Sequence, residues 1–205
     1  MSRKEIKNRA LNLLENNFWG IWFPIFLMFC MLGIIEYVFT FLNFNSDLFE
    51  ILIYFIVVQL IISPFCVGFN YCILRIVRKD KMHLKDLFKF YPNFINIFLV
   101  SLVVQLFFSI GFTLFVIPGI IVVLVYCFVN FIIADGEFSV IDSLRASREL
   151  IYGYKFDYFK FLISFIGWWL IVIFTFGTAI VFVLPYFLVS NAVYYDCLKL
   201  EKVNV

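Results

Sequence analysis

The feature that most restricts this chain is a run of 45 consecutive residues, 90–134, without a single Asp, Glu, Lys or Arg. One helix of that length would extend about 68 Å, more than twice the roughly 30 Å of hydrocarbon in a bilayer. Pro118-Gly119 supplies a breaker near its middle, so the run reads as two crossings. Three further windows behave alike. Residues 16–35 are uncharged and continue past Glu36 as an apolar tail to Phe44; residues 51–74 are uncharged; residues 161–195 are uncharged but interrupted by Gly177-Thr178 and Pro185. Lipid offers the backbone no hydrogen-bond partner, so each window must bond to itself as helix. The expectation is an all-α, polytopic membrane helix bundle forming a single domain over 1–205. Its six spans fall near 18–43, 50–74, 94–116, 119–134, 160–177 and 180–197, paired as three hairpins.

Composition supports this reading: 64% of the residues are hydrophobic and 15% charged, with 30 Phe, 11 Tyr and a mean hydropathy of +1.03. Soluble domains average roughly 45–50% apolar and 25% charged. A soluble enzyme, a disordered tail, a collagen and a disulfide-stapled secreted module are thereby excluded. The five cysteines (Cys30, Cys66, Cys72, Cys127, Cys197) form no C-x-x-C pair and are expected as free thiols. The first 17 residues mix charged and apolar positions and lack the apolar core of a cleavable signal.

The charges orient the bundle. All 16 basic residues lie before the first window, between the second and third spans, between the fourth and fifth, or at the end, whereas the connection near residues 43–50 holds only Asp47 and Glu50. By the positive-inside rule both termini are cytoplasmic, in a cell membrane. Three amphipathic lead-ins, each preceding one hairpin, are expected on that side. The first opens with a capping box, Ser2-x-x-Glu5, and presents Ile6, Ala10, Leu13, Leu14 and Phe18 at helical spacing. The others are residues 84–91 and residues 139–152, the latter closing at Gly153. Trp19 and Trp22 suit an inner aromatic belt, and Gly167 beside Trp168 and Trp169 suggests close helix packing.

Candidate sites are few. Glu36 is the one ionisable residue embedded in a span; at about 27 Å from Phe18 it belongs near the outer headgroups. Pro64 and Pro185 each remove an intrahelical hydrogen bond, freeing the carbonyls of Leu60 and Val181, and Asn70 and Asn191 follow them at the same six-residue offset. His83, alone among charged neighbours, reads as a solvated surface histidine. No metal, cofactor, nucleophile or phosphate-cradle constellation can be assembled, so no cofactor and no enzyme activity is expected.

Ile117-Pro118-Gly119, Asp135, Ser147, Gly153 with Lys155, the run Ser164-Phe165-Ile166-Gly167-Trp168, Thr175 with Gly177, and Pro185-Tyr186 together resemble a bacterial integral-membrane family known as domain of unknown function 975. The opening Arg3-Lys4-x-Ile6-Lys7, followed by Asn17-x-Trp19, is similar to the start of that family. Gly136-Glu137 stands where an Asn-Pro is usual, Tyr152 where Met is common, and Thr178-Ala179 lacks a second glycine. The resemblance implies a multi-pass membrane protein with no established activity. It singles out Asp135, Ser147, Gly153 and Lys155 as the segment in which to seek a partner site. Two readings of function follow. In the first, a non-enzymatic membrane structural, interaction or accessory protein works at the inner face, its partners being the lipid bilayer and a membrane protein or a second copy, with no role for nucleic acid. In the second, a small-solute transporter or channel subunit has its site between the proline-kinked second and sixth helices.

Overall fold

The computed structural model describes residues 3–42, 48–137 and 139–203. Ser2 of the expected capping box, and residues 43–47 of the connection expected outside, lie beyond the described residues. The described chain is helical, with no strand. Its elements are α1 (Arg3–Phe41), α2 (Leu48–Val77), two short 3₁₀ turns (Leu84–Phe88 and Tyr91–Asn93), α3 (Phe94–Leu114), α4 (Val116–Tyr126), α5 (Val129–Ala134), α6 (Val140–Ile151), α7 (Lys155–Ile163), α8 (Ile166–Phe174) and α9 (Ile180–Val203). Six stretches are long and apolar enough to cross a membrane: Arg3–Phe41, Phe49–Val77, Leu84–Thr113, Ile117–Ala134, Lys155–Phe174 and Ile180–Lys202. The architecture is that of a multi-pass membrane protein. The last two stretches, at 20 and 23 residues, both have spanning length.

The first lead-in is continuous with the first span. α1 changes direction at Asn17, whose φ of −131° and ψ of 26° leave the helical region. The Asn17 amide donates to the Leu13 carbonyl (3.1 Å) at this break. Ile6, Ala10 and Leu14 are buried along one stripe of the lead-in. The second lead-in is not an α-helix: residues 84–91 are taken up largely by the 3₁₀ turns, tight enough for the Leu87 backbone to press against α2 at Gly68. A Cβ on Gly68 would run into the Leu87 carbonyl. The third, α6, is a capped amphipathic helix in which the Ser139 hydroxyl accepts from the Asp142 N–H (3.5 Å).

Breaks fall elsewhere than the prolines suggest. The α3–α4 turn is at Phe115 (φ −165°, ψ 154°), three residues before Pro118, which sits in the first turn of α4 where a missing N–H costs nothing. α2 and α9 continue through Pro64 and Pro185. The discontinuous crossings are instead the fourth, interrupted between α4 and α5 at Cys127-Phe128, and the fifth, interrupted between α7 and α8 at Ser164-Phe165. A Cβ added at Gly167 would meet nothing within 4 Å, so the close packing expected there is not formed.

α9 is the central helix. Residues 189–196 are buried without interruption, as happens only when neighbours lie all round. It packs against α1, α2, α6 and α8. An aromatic cluster fills the junction with α5 and α7: Phe128, Tyr158, Phe161 and Tyr194 approach with ring centroids 4.9–5.0 Å apart for Phe128–Tyr158, Tyr158–Tyr194 and Phe161–Tyr194. All five cysteines are free.

Candidate functional site

The basic segments, far apart in sequence, converge at one end of the bundle. The lead-in of α1 reaches two other elements there: Lys7 donates to the Ser164 carbonyl (2.9 Å) and Arg9 to the Val77 carbonyl (3.1 Å). Both acceptors lie where a helix runs out and leaves its last carbonyls without intrahelical donors. At the start of the 3₁₀ segment Arg75 pairs with Asp86 (2.5 Å).

The densest arrangement joins α2, α5 and α9. Arg78, just past α2, holds Asp135, just past α5, with two parallel hydrogen bonds: Nη1 to Oδ1 at 2.7 Å and Nη2 to Oδ2 at 3.1 Å. This is the planar fork that suits a guanidinium to a carboxylate. Asp135 Oδ2 also accepts from the Tyr195 hydroxyl (2.9 Å) and from Lys199 Nζ (2.5 Å). Arg78 Nε turns to Asp196 Oδ1 (3.0 Å). Two cations and two carboxylates make the knot electrically neutral. Burial alone would raise the Asp135 carboxyl, but the hydrogen bonds from Arg78, Lys199 and Tyr195 outweigh it and hold the group below the ordinary aspartate range. Arg78 is raised in turn, chiefly by its hydrogen bond to Asp135, so both partners stay charged.

Among the described residues, clefts with charged residues in their walls open at this end. One of about 400 Å³ lies beside the knot, between Asp135, Glu137, Tyr195 and Lys199 on one wall and Ala146 and Leu150 of α6 on the other. A second of about 380 Å³ is bordered by Arg3, Asp157, Tyr194 and Glu201. The third, about 510 Å³, lies along the lead-in between Glu5, Arg9, Asn12 and Lys79. Among the described residues no group of three His, Cys, Asp or Glu is placed to hold a metal ion.

Of the residues singled out from the sequence, Asp135 is the centre of the knot. Ser147 is fully buried and donates to the Val125 carbonyl (2.8 Å), pinning α6 to the last turn of α4 just before its break. Gly153, at φ +89°, follows α6 in a conformation that excludes most side chains. Lys155 opens α7 and forms no ion pair among the described residues. Glu36 is exposed near the far end of α1. Pro64 and Pro185 are buried, and the carbonyls around them have side-chain donors. The Trp22 indole donates to Val181 O (2.8 Å), the carbonyl that Pro185 frees, and the Tyr91 hydroxyl donates to Ile61 O (2.9 Å), one residue beyond the carbonyl that Pro64 frees. Asn70 and Asn191 both donate back to the carbonyl four residues earlier, Cys66 O at 2.9 Å and Phe187 O at 3.1 Å, and Asn191 Oδ1 accepts from Tyr158 (2.9 Å). Thus both asparagine side chains are engaged by hydrogen bonds within the protein.

Arg78, Tyr195, Asp196 and Lys199 were missed by sequence reasoning. Tyr195 and Lys199 share a helical face at i, i+4, which marks them as able to act on one partner. That partner, Asp135, is 60 residues away, and nothing local announces it.

Residues 110–202 match the model of a family described as "Protein of unknown function (DUF975)", the family that the sequence resembles. The match includes Asp135, Tyr195, Asp196 and Lys199 but not Arg78. No curated protein and no solved structure matches the chain.

Proposed function

We propose that this is a non-enzymatic protein of the bacterial plasma membrane, with both termini in the cytoplasm, that serves as a structural or accessory component by docking a membrane-protein partner or a second copy at its charged end. The observation that carries this reading is the knot around Asp135 with three charge-walled clefts at the same end. The knot ties α2, α5 and α9 together and spends its own charges internally, which leaves Glu137, Asp157, Glu201 and Arg3 on the cleft walls to recognise a partner. Attraction to anionic lipid is a minor contribution, because acidic residues are interspersed with the basic ones at that end. The reading that places a solute site between the second and sixth spans lacks such an observation, since Trp22 takes the Val181 carbonyl and both asparagine amides return to their own helices.

The test is photocross-linking in intact cells, with p-benzoylphenylalanine placed at Glu137 or Leu150 and, as control, at Phe176 in the α8–α9 turn. Adducts of higher mass are expected from the first two positions and none from Phe176. No adduct at Glu137 and Leu150, in protein that inserts normally, overturns the proposal. Orientation is read separately by placing cysteines at His83 and Gly177 in a variant without native thiols. A membrane-impermeant reagent on whole cells is expected to label Gly177→Cys and to spare His83→Cys.

A further inference from the structure

A second polar region lies inside the apolar part of the bundle, away from the charged end. Three helical faces border a cleft of about 300 Å³ that is open on one side. α2 contributes Gln59, Ser63 and Cys66, α3 contributes Ser101 and Gln105, and the α4–α5 junction contributes Tyr126 and Asn130. Ser63 is halfway along the spanning stretch Phe49–Val77, about 21 Å from either end. Ser63 is therefore at the level where an unmet hydrogen bond costs most, while Asn130, four residues from the end of the stretch Ile117–Ala134, lies nearer the charged end. Gln59 donates to Gln105 across the cleft, joining α2 to α3. The others find no such partner. The Ser63 hydroxyl is buried without a hydrogen bond, and Ser101, Tyr126 and Asn130 form none among the described residues. Ile62, Val100, Val104, Phe108 and Val129 complete the wall.

We propose that this cleft binds a small uncharged solute bearing both hydrogen-bond donors and acceptors, of the primary amide or polyol class. Three features define the class. The hydroxyls and amides supply donors and acceptors in several directions, so an acyl chain lying in the cleft would leave them unmet. No Asp, Glu, Lys, Arg or His lines the cleft, so a charged solute would meet no counter-charge at membrane depth. The volume is at the lower end of ligand pockets, roughly 300–1,000 Å³, and corresponds to a molecule of a few heavy atoms with some water. The break between α4 and α5 at Cys127-Phe128 adjoins the cleft, since the residues flanking it, Tyr126 and Val129, are part of the lining. The site is separate from the charged end, and either proposal can fail without the other.

Cys66 gives the cleft a native reporter. In the full chain in lipid nanodiscs, with Cys30, Cys72, Cys127 and Cys197 replaced by Ala, the rate of Cys66 modification by methyl methanethiosulfonate is measured against increasing acetamide and against acetate, its charged isostere. Cys66 is expected to react, and acetamide at about twice its Kd is expected to slow the reaction about threefold, while acetate leaves it unchanged. Ser63→Ala and Ser101→Ala are expected to weaken the acetamide protection while Cys66 keeps reacting. Ser63→Ala removes a hydroxyl with no partner, so loss of folding cannot explain a loss of protection by that variant. A thiol that does not react even at alkaline pH, where thiolate is available, shows a closed or lipid-filled cleft and overturns the proposal. So does a reactive thiol that acetamide and glycerol both fail to protect, which means water only, or one that acetate protects equally well.

Discussion

The charged end and the cleft between α2 and α3 both set polar side chains where helices pack, yet they treat hydrogen-bonding capacity in opposite ways. Around Asp135 each carboxylate has a donor and each cation an acceptor. At the other cleft one amide pair is made, while the side chains of Ser63, Ser101, Tyr126 and Asn130 form no hydrogen bond among the described residues. The difference follows from what desolvation costs. A charge removed from water without a partner is expensive enough to be tolerated only in a closed network, whereas an unmet hydroxyl or amide costs far less and can be left for a visitor. A saturated knot is a fastening; an unsaturated cleft has capacity to spare.

The largest test of this contrast is Asp135→Ala. It strands Arg78, Lys199 and Tyr195 together and is expected to destabilise the protein by about 2–3 kcal/mol in thermal or steric-trapping measurements. The value stays below that for a fully buried pair because the Arg78 and Lys199 side chains are 34% and 44% exposed. Acid should reproduce part of the loss reversibly. The Asp135 carboxyl titrates below its unfolded value, so its stabilisation is fully present above about pH 4 and disappears as pH falls through the lowered folded-state value. Asp135→Asn should remove this component from the acid limb of the melting profile, and an unchanged limb would show that the knot contributes nothing there.

Next comes Ser147→Ala, which leaves the Val125 carbonyl without its donor in a buried contact; about 1–2 kcal/mol is expected, with faster amide exchange in α6 as the local signature. Trp22→Phe keeps most of the ring surface but removes the donor to Val181 O, for an expected loss of about 0.6–1 kcal/mol. Ser63→Ala should be the smallest and opposite in sign, neutral or stabilising by up to about 0.5 kcal/mol, because the hydroxyl it removes has no partner. If Ser63→Ala were as costly as Asp135→Ala, the distinction between a satisfied and an unsatisfied region would collapse.

Much of the architecture was legible without coordinates. Six helical stretches long and apolar enough to span are present, as expected, the thiols are free, and the first and third lead-ins are helices, the first with Ile6, Ala10 and Leu14 buried. The errors over where helices break share one cause. Pro64, Pro118 and Pro185 looked like the points where helices would yield, but the neighbouring chain decides that. Pro118 moved into the first turn of α4, and Trp22 and Tyr91 supply donors near the other two, while the fourth and fifth crossings broke at Cys127-Phe128 and Ser164-Phe165, where no proline stands. The candidate site was half legible. Asp135 was visible through its resemblance to a family, but Asp196 looked only like the edge of an uncharged window. Gln59, Gln105 and Asn130 passed unnoticed because a neutral amide does not interrupt such a window.

Hydropathy and charge belong to single residues, so the sequence by itself determined that six segments are apolar enough to span a bilayer and that every cation lies outside the uncharged windows. Which donor meets which acceptor is a property of pairs. Arg78 finds Asp135 and Asp196 at separations of 57 and 118 residues, and Ser63 finds no partner. Only the packing of α2 against α3, α5 and α9 decided that, because a hydrogen bond exists or fails over a few tenths of an ångström.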